Sequence, residues 1–247
     1  MLHKSRKGII ILSFLFKIIM LIFPPGGNMK KILFVIIILL ILFNFNVNSK
    51  NISTNKLDRD SINSKIINNM TDSNYKNDDI IGYLKIDNIL NTPVVQGNDN
   101  SYYLKHNINK EVDKKGSVFL DYRNSIFDKK LIIYGHSGKE KDLSFNILNK
   151  YSDFNFYKKH SSLLFIHDNK IDKYKIFSSY IEKEDYDYLN LKDFNGSYIE
   201  HLNKLKRKSK YLINTNLDDN SKIIILQTCS MIDIGKRHFM LVIGVKE

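Results

Sequence analysis

Three side chains in this sequence could together perform acyl transfer: a thiol, an imidazole and a guanidinium. Cys229 is the single cysteine of the 247 residues. It closes the apolar run Ile223-Ile224-Ile225-Leu226-Gln227-Thr228 and precedes a polar turn, so a strand would hold it rigidly with solvent within reach. A thiol becomes a useful nucleophile when a base or cation raises its thiolate fraction and a donor steadies the oxyanion on the attacked carbonyl. His136, in Tyr134-Gly135-His136-Ser137-Gly138, also follows an apolar run, Leu131-Ile132-Ile133. Arg237 stands one hairpin's length beyond Cys229, and a hairpin between Thr228 and His238 would bring the two to facing strand ends. Spacing alone does not bring His136 to the cysteine, since they belong to different strands. The alternative for Cys229 is a small buried hydrophobe. An exported chain that keeps an unpaired thiol, exposed there to oxidation, weighs against that reading.

Other chemistries find little support. One cysteine excludes an intramolecular disulfide framework and any Cys-rich metal site. His3, His106, His160, His167, His201 and His238 lack the setting of His136 and read as surface or packing residues. No His/Asp/Glu spacing resembles a metal cage and no Gly-rich phosphate loop is present, so neither a metal nor a cofactor is expected. Half of the net charge of +12 sits within residues 1–31, as Lys4, Arg6, Lys7, Lys17, Lys30 and Lys31 without an acid. The rest is spread along the chain, with one run at Lys204, Lys206, Arg207, Lys208 and Lys210 that reads as a solvated helix face rather than a nucleic-acid groove. A mildly basic exterior suits work beside an anionic cell envelope.

These residues need rigid elements to hold them. A hydrophobic share of 43% with 26% charged residues describes a globular chain, and its length suits one domain with appendages. Short β runs bounded by turn residues predict strands over 80–86, 93–96, 117–121, 130–135, 163–167, 174–181, 222–228 and 239–245. Helical patterns fall at 101–106, 143–151 and 194–209, the last amphipathic, with Phe194, Tyr198, Leu202 and Leu205 on one side. Many short strands with few helices predict a mainly β, closed or nearly closed barrel, because closure removes exposed edges.

The amino-terminal part reads as targeting. Apolar runs cover 9–23 and 32–45, and the second follows Met29-Lys30-Lys31 as an h-region follows a basic n-region. Residues 29–46 are expected to be a retained signal-anchor with the lysines inside and the rest outside; a cleaved signal at Val47-Asn48-Ser49 is the alternative. Gly26-Gly27-Asn28 before Met29 could encode a ribosome-binding site, so residues 1–28 are expected to be a translated leader or extra apolar segment. A stalk and helix over 47–79, the helix across 53–72, would then lead to a folded part at 80–247.

Four stretches carry a family resemblance: Thr92-Pro-Val-Val-Gln-Gly-Asn-Asp-Asn-Ser-Tyr-Tyr-Leu-Lys-His106, Gly116-Ser-Val-Phe-Leu-Asp-Tyr-Arg-Asn124, Leu131-Ile-Ile-Tyr-Gly-His136, and Leu226-Gln-Thr-Cys229 with Arg237. In this order they resemble the class B sortases, membrane-anchored cysteine transpeptidases of Gram-positive bacteria. The usual Thr-Leu-x-Thr-Cys has Ile225 in place of its first Thr, and Gln227 where Ser is common; both flank the nucleophile and bear on substrate preference. The resemblance implies an eight-stranded sortase-type β-barrel with an N-terminal helix and an amphipathic helix before the Cys-bearing strand.

It further implies Cys229 as nucleophile, His136 as general acid/base and Arg237 as the group steadying the substrate carbonyl, with the Ser230 backbone N–H as a second oxyanion donor. Thr228 and Ser230 beside the nucleophile, and Tyr186 and Tyr188 in the connection over 182–194, become candidate substrate contacts. Asp121-Tyr122-Arg123 is expected to set a strand end near the catalytic face. Implied partners are secreted proteins bearing a sorting motif, a peptidoglycan or lipid-linked precursor amine, and the membrane, with the catalytic domain extracellular; no nucleic acid is expected. A cysteine endopeptidase hydrolysing the same motif and a non-catalytic membrane-tethered binding barrel are the alternatives.

Overall fold

The computed structural model describes residues 75–183, 185–192, 194, 196–229 and 238–247, with the backbone alone at Cys229. The strands are β1 (Ile80–Ile86), β2 (Leu90–Val95), β3 (Phe119–Leu120), β4 (Lys130–Tyr134), β5 (Ser162–His167), β6 (Lys170–Glu182), β7 (Ile223–Cys229) and β8 (Phe239–Lys246). They form a closed barrel in the order β1-β2-β3-β4-β7-β8-β6-β5, with β5 pairing back onto β1. The expected mainly β barrel is therefore what the chain forms. Two neighbouring pairs are parallel, β2 with β3 and β4 with β7; the other pairs are antiparallel.

Alternate residues of the central strands feed two apolar layers, as the period of two in a strand requires. Leu131 and Ile133 of β4, Ile224 and Leu226 of β7 and Val242 of β8 join one core with Phe145, Leu148 and Tyr151. Ile132, Ile223, Ile225, Leu241 and Ile243 join a second with Phe177, Tyr188 and helix residues Leu202 and Leu205. That helix, α2 (Tyr198–Arg207), starts at a capping box in which Ser197 accepts from the Glu200 backbone and Glu200 reaches back.

Several expectations change. The segment expected as a helix over 101–106 is a single 3-10 turn, Tyr102–Leu104, and 143–151 is 3-10 rather than α, Ser144–Ser152. A short helix that periodicity did not show, α1 (Phe154–Lys159), follows it, capped by Asp153. The strand expected over 174–181 begins earlier, at Lys170, because Asp168 and Asn169 both take positive φ (47° and 54°) and close a tight hairpin between β5 and β6. The leader, the anchor and the helix over 53–72 lie outside the described residues. Among the described residues no helix is long and apolar enough to cross a membrane.

Candidate functional site

The site is built on the parallel pair β4 and β7. Their register advances one residue for one residue, from Lys130 opposite Ile223 to Tyr134 opposite Gln227. The ladder continues past the strand: the Gly135 N–H donates to the Gln227 carbonyl at 3.2 Å, and the buried Thr228 hydroxyl donates to the Gly135 carbonyl at 2.8 Å. The next residue on one chain is His136 and the next on the other is Cys229. Across β7, the backbone of Cys229 stands opposite Phe239, the first residue of β8. The hairpin expected from the sequence is thus present; Arg237 and Ser230 lie outside the described residues.

A cleft of about 440 Å³ opens at this end of the barrel. Phe119 of β3, Tyr134, Gly135 and His136 at the end of β4, Gln227 and Thr228 of β7 and Phe239 of β8 line it, with Tyr188 and Leu189 from the β6–β7 connection and Asn100 and Leu104. Its walls are mainly apolar with a few convergent polar groups, the usual make-up of a site that buries a small ligand segment. Gly135 is needed here: a Cβ on it would stand 2.7 Å from the buried Phe145 ring, so this part of the chain lies flush on the core beneath it.

His136 is half-buried, and its Nε2 lies 2.8 Å from the Leu104 carbonyl oxygen. A carbonyl only accepts, so Nε2 carries a proton and Nδ1 is the nitrogen left to exchange one. The 3-10 turn Tyr102–Leu104 thereby orients the ring from across the cleft.

Asp121 organises the neighbouring strand end and is fully buried. Its carboxylate accepts from Arg123 Nε at 2.9 Å and Nη2 at 2.7 Å, from the Tyr134 hydroxyl at 2.7 Å and from the Asn100 amide at 3.1 Å. Burial opposes the charge, but the Arg123, Tyr134 and Asn100 hydrogen bonds hold the carboxyl at about 2. The expectation that Asp121-Tyr122-Arg123 shapes a strand end near the site agrees with this placement. Because the folded value lies below the ordinary 3.8, Asp121 contributes stability above that pH and loses it as pH falls towards 2. Asp121→Asn is expected to remove about 2 kcal/mol at neutral pH, because it weakens the buried carboxylate's hydrogen bonds from Arg123, Tyr134 and Asn100. Urea melts of the two proteins check this, and their difference shrinks in acid.

Tyr186 and Tyr188, proposed together from the sequence, part company. Tyr188 is buried and its hydroxyl donates to Gln227 Oε1 at 2.8 Å, while Tyr186 is 39% exposed and packs edge-on to Phe239 with centroids 6.1 Å apart. Only Tyr188 lines the cleft. The cationic run on α2 is not a bare solvated face. Lys204 pairs with Asp185 at 2.6 Å and with Asp187, and Lys208 pairs with Glu182 at 2.7 Å, because α2 lies over the acidic connection that leaves β6. Only Arg207 and Lys210 stay exposed, and the Lys210 ammonium donates to the Ser152 carbonyl at 2.7 Å. Sequence reasoning missed Leu104, Asn100, Phe239 and Gln227 as cleft residues, since nothing in their local pattern separates them from ordinary strand and turn residues. It also missed Lys130, buried at 2% exposure at the start of β4.

No protein-family model matches the sequence. The chain is similar to the sortase B of Listeria monocytogenes, with 33% identity over 175 residues that make up 68% of this chain and 70% of that protein. It is similar to the sortase B of Staphylococcus aureus at 36% identity over 160 residues, 62% of this chain and 64% of that one. Among solved structures, the Clostridium perfringens sortase B superposes with a TM-score of 0.64 at 27% identity, covering 74% of this chain and 99% of the other.

Proposed function

Because the chain belongs to the sortase B family and is thus a sortase-type cysteine transpeptidase, we propose that it joins secreted proteins to an amine of peptidoglycan or of its lipid-linked precursor, cutting their C-terminal sorting motif after Thr. The chain would act from the outer face of the cell membrane, held by the segment at 29–46.

What supports the reading is the parallel register of β4 and β7, by which the cleft-lining His136 and the backbone of Cys229 follow corresponding strand ends. The Cys229 thiolate attacks the threonine carbonyl carbon and the electron pair moves to oxygen, where Arg237 stabilises it. An arginine suits that role because it stays charged at any working pH. The tetrahedral intermediate collapses, the C–N bond breaks, and the leaving nitrogen takes the proton held on His136 Nδ1. The acceptor amine then attacks the thioester, returns a proton to Nδ1, and displaces Cys229 as thiolate. Nε2 remains on the Leu104 carbonyl throughout, so ring orientation is kept while one nitrogen exchanges protons.

Incubating the protein with sorting-motif peptides, with and without a peptidoglycan-type amine, tests the reading. Mass spectrometry is expected to find the donor fragment joined to the amine as the main product. Cleavage with only free carboxylate product at saturating amine would instead make this a hydrolase.

A further inference from the structure

We infer that Lys130 is a positioning residue for the cleft: clamped beneath the β6–β7 connection, its amine fixes the wall formed by Tyr188 and Leu189. The inference rests on the transpeptidase reading only for what enters the cleft. Lys130 shares its strand face with Ile132 and Tyr134, which enter an apolar layer, and an aliphatic residue would suit that place. Its Nζ instead donates to the Asn190 carbonyl at 2.7 Å, lies 2.8 Å from His201 Nε2, and sits 5.3 Å from the Phe194 ring centre. Burial pushes the amine down to about 7 and the His201 imidazole down to about 4, so His201 is neutral and accepts from the lysine. Such a group is expensive to bury, and its described hydrogen bonds end on α2 and on the backbone of the connection.

The target of those bonds gives the cost a purpose. Three consecutive residues of the connection are each tied to the barrel side: Tyr188 through its hydroxyl to Gln227 at 2.8 Å, Leu189 through its carbonyl to Arg123 at 3.3 Å, and Asn190 through its carbonyl to Lys130. The first two line the cleft and the third does not. Of the two donors tying these carbonyls, Arg123 is partly exposed, whereas Lys130 is buried, so Lys130 is the stiffer of the two anchors. Without it the wall would sample positions in which peptide side chains lose their packing surface, although Cys229 and His136, held by β7 and β4, would stay in place.

Lys130→Met in the full-length chain tests this. Backbone hydrogen exchange over 187–191 is expected to speed up, and KM for a sorting-motif peptide to rise roughly tenfold, as expected for losing one buried hydrogen bond. The kcat at saturating peptide is expected to hold, a split that general loss of folded protein would not give. Lys130→Arg, which keeps charge and donors, is expected to recover KM at least in part. Unchanged exchange over 187–191, or a kcat that falls with KM unchanged, overturns the inference. If Lys130→Met does not fold, Lys130→Gln carries the same comparison with a shorter donor. A parent chain that turns over no peptide defeats the transpeptidase reading, and the exchange measurement still decides whether Lys130 holds the wall.

Discussion

A Cys229→Ala chain is expected to fold as its parent does and to release no fragment from a sorting-motif peptide. The backbone of residue 229 pairs with Phe239 at the very end of β7, where alanine keeps the ladder intact. The chemistry is affected absolutely rather than by degree, because no other cysteine exists to carry the acyl group. Stabilising the oxyanion and holding the peptide could give at most on the order of 10³–10⁴ over water's own, vanishingly slow amide hydrolysis, which releases no detectable fragment, and no covalent intermediate could form. Intact-mass spectrometry reads this directly: the parent gains the mass of the acyl fragment when amine is withheld, and the variant gains nothing. Turnover near the parental rate would remove Cys229 from the mechanism.

Arg237→Lys is expected to lower kcat/KM by about 10²–10³, the usual loss when one oxyanion donor is removed. Charge is conserved in this exchange, so the size of the loss reports geometry. The antiparallel register of β7 with β8 puts Phe239 opposite Cys229, and Arg237 is two residues before Phe239 in the chain. A guanidinium offers a planar fork of donors, whereas an ammonium is a compact point charge that is strongly hydrated. Steady-state kinetics on a fluorogenic sorting peptide check the value, with thermal melts confirming that both proteins are folded. A loss below tenfold would take the carbonyl-steadying role away from Arg237.

His136 and Cys229 were legible because each ends or follows an apolar β run, a pattern that survives in one sequence without any comparison. The strand-ending runs before His136 and Cys229 correspond to β4 and β7. What local pattern could not carry was their adjacency, which depends on the parallel pairing of strands far apart in the chain. Periodicity also failed where segments are short or polar. Phe154–Lys159 offers too few residues to show a helical repeat, and the first residues of β6, with Lys170, Asp172 and Lys173, look like loop until the positive-φ Asp168-Asn169 turn is recognised. The lysines after residue 203 were read as solvated because a charge run shows nothing of what lies beneath it. Their partners, Glu182, Asp185 and Asp187, come from the connection that α2 covers. Lys130 was invisible for the opposite reason: a lysine opening a strand reads as a surface residue, and only the folded chain shows the carbonyl and imidazole above it.

Parallel neighbours cannot be joined by a tight turn; between β4 and β7 the chain makes β5, β6, the helices α1 and α2 and the long connection. A chain synthesised from its amino terminus therefore gains its imidazole well before its thiol. It can pair the two only when the last strands arrive. Contacts this distant in sequence close late and slowly, so the two groups would stay apart while the rest of the chain folds. Competence would switch on only at the completion of the barrel.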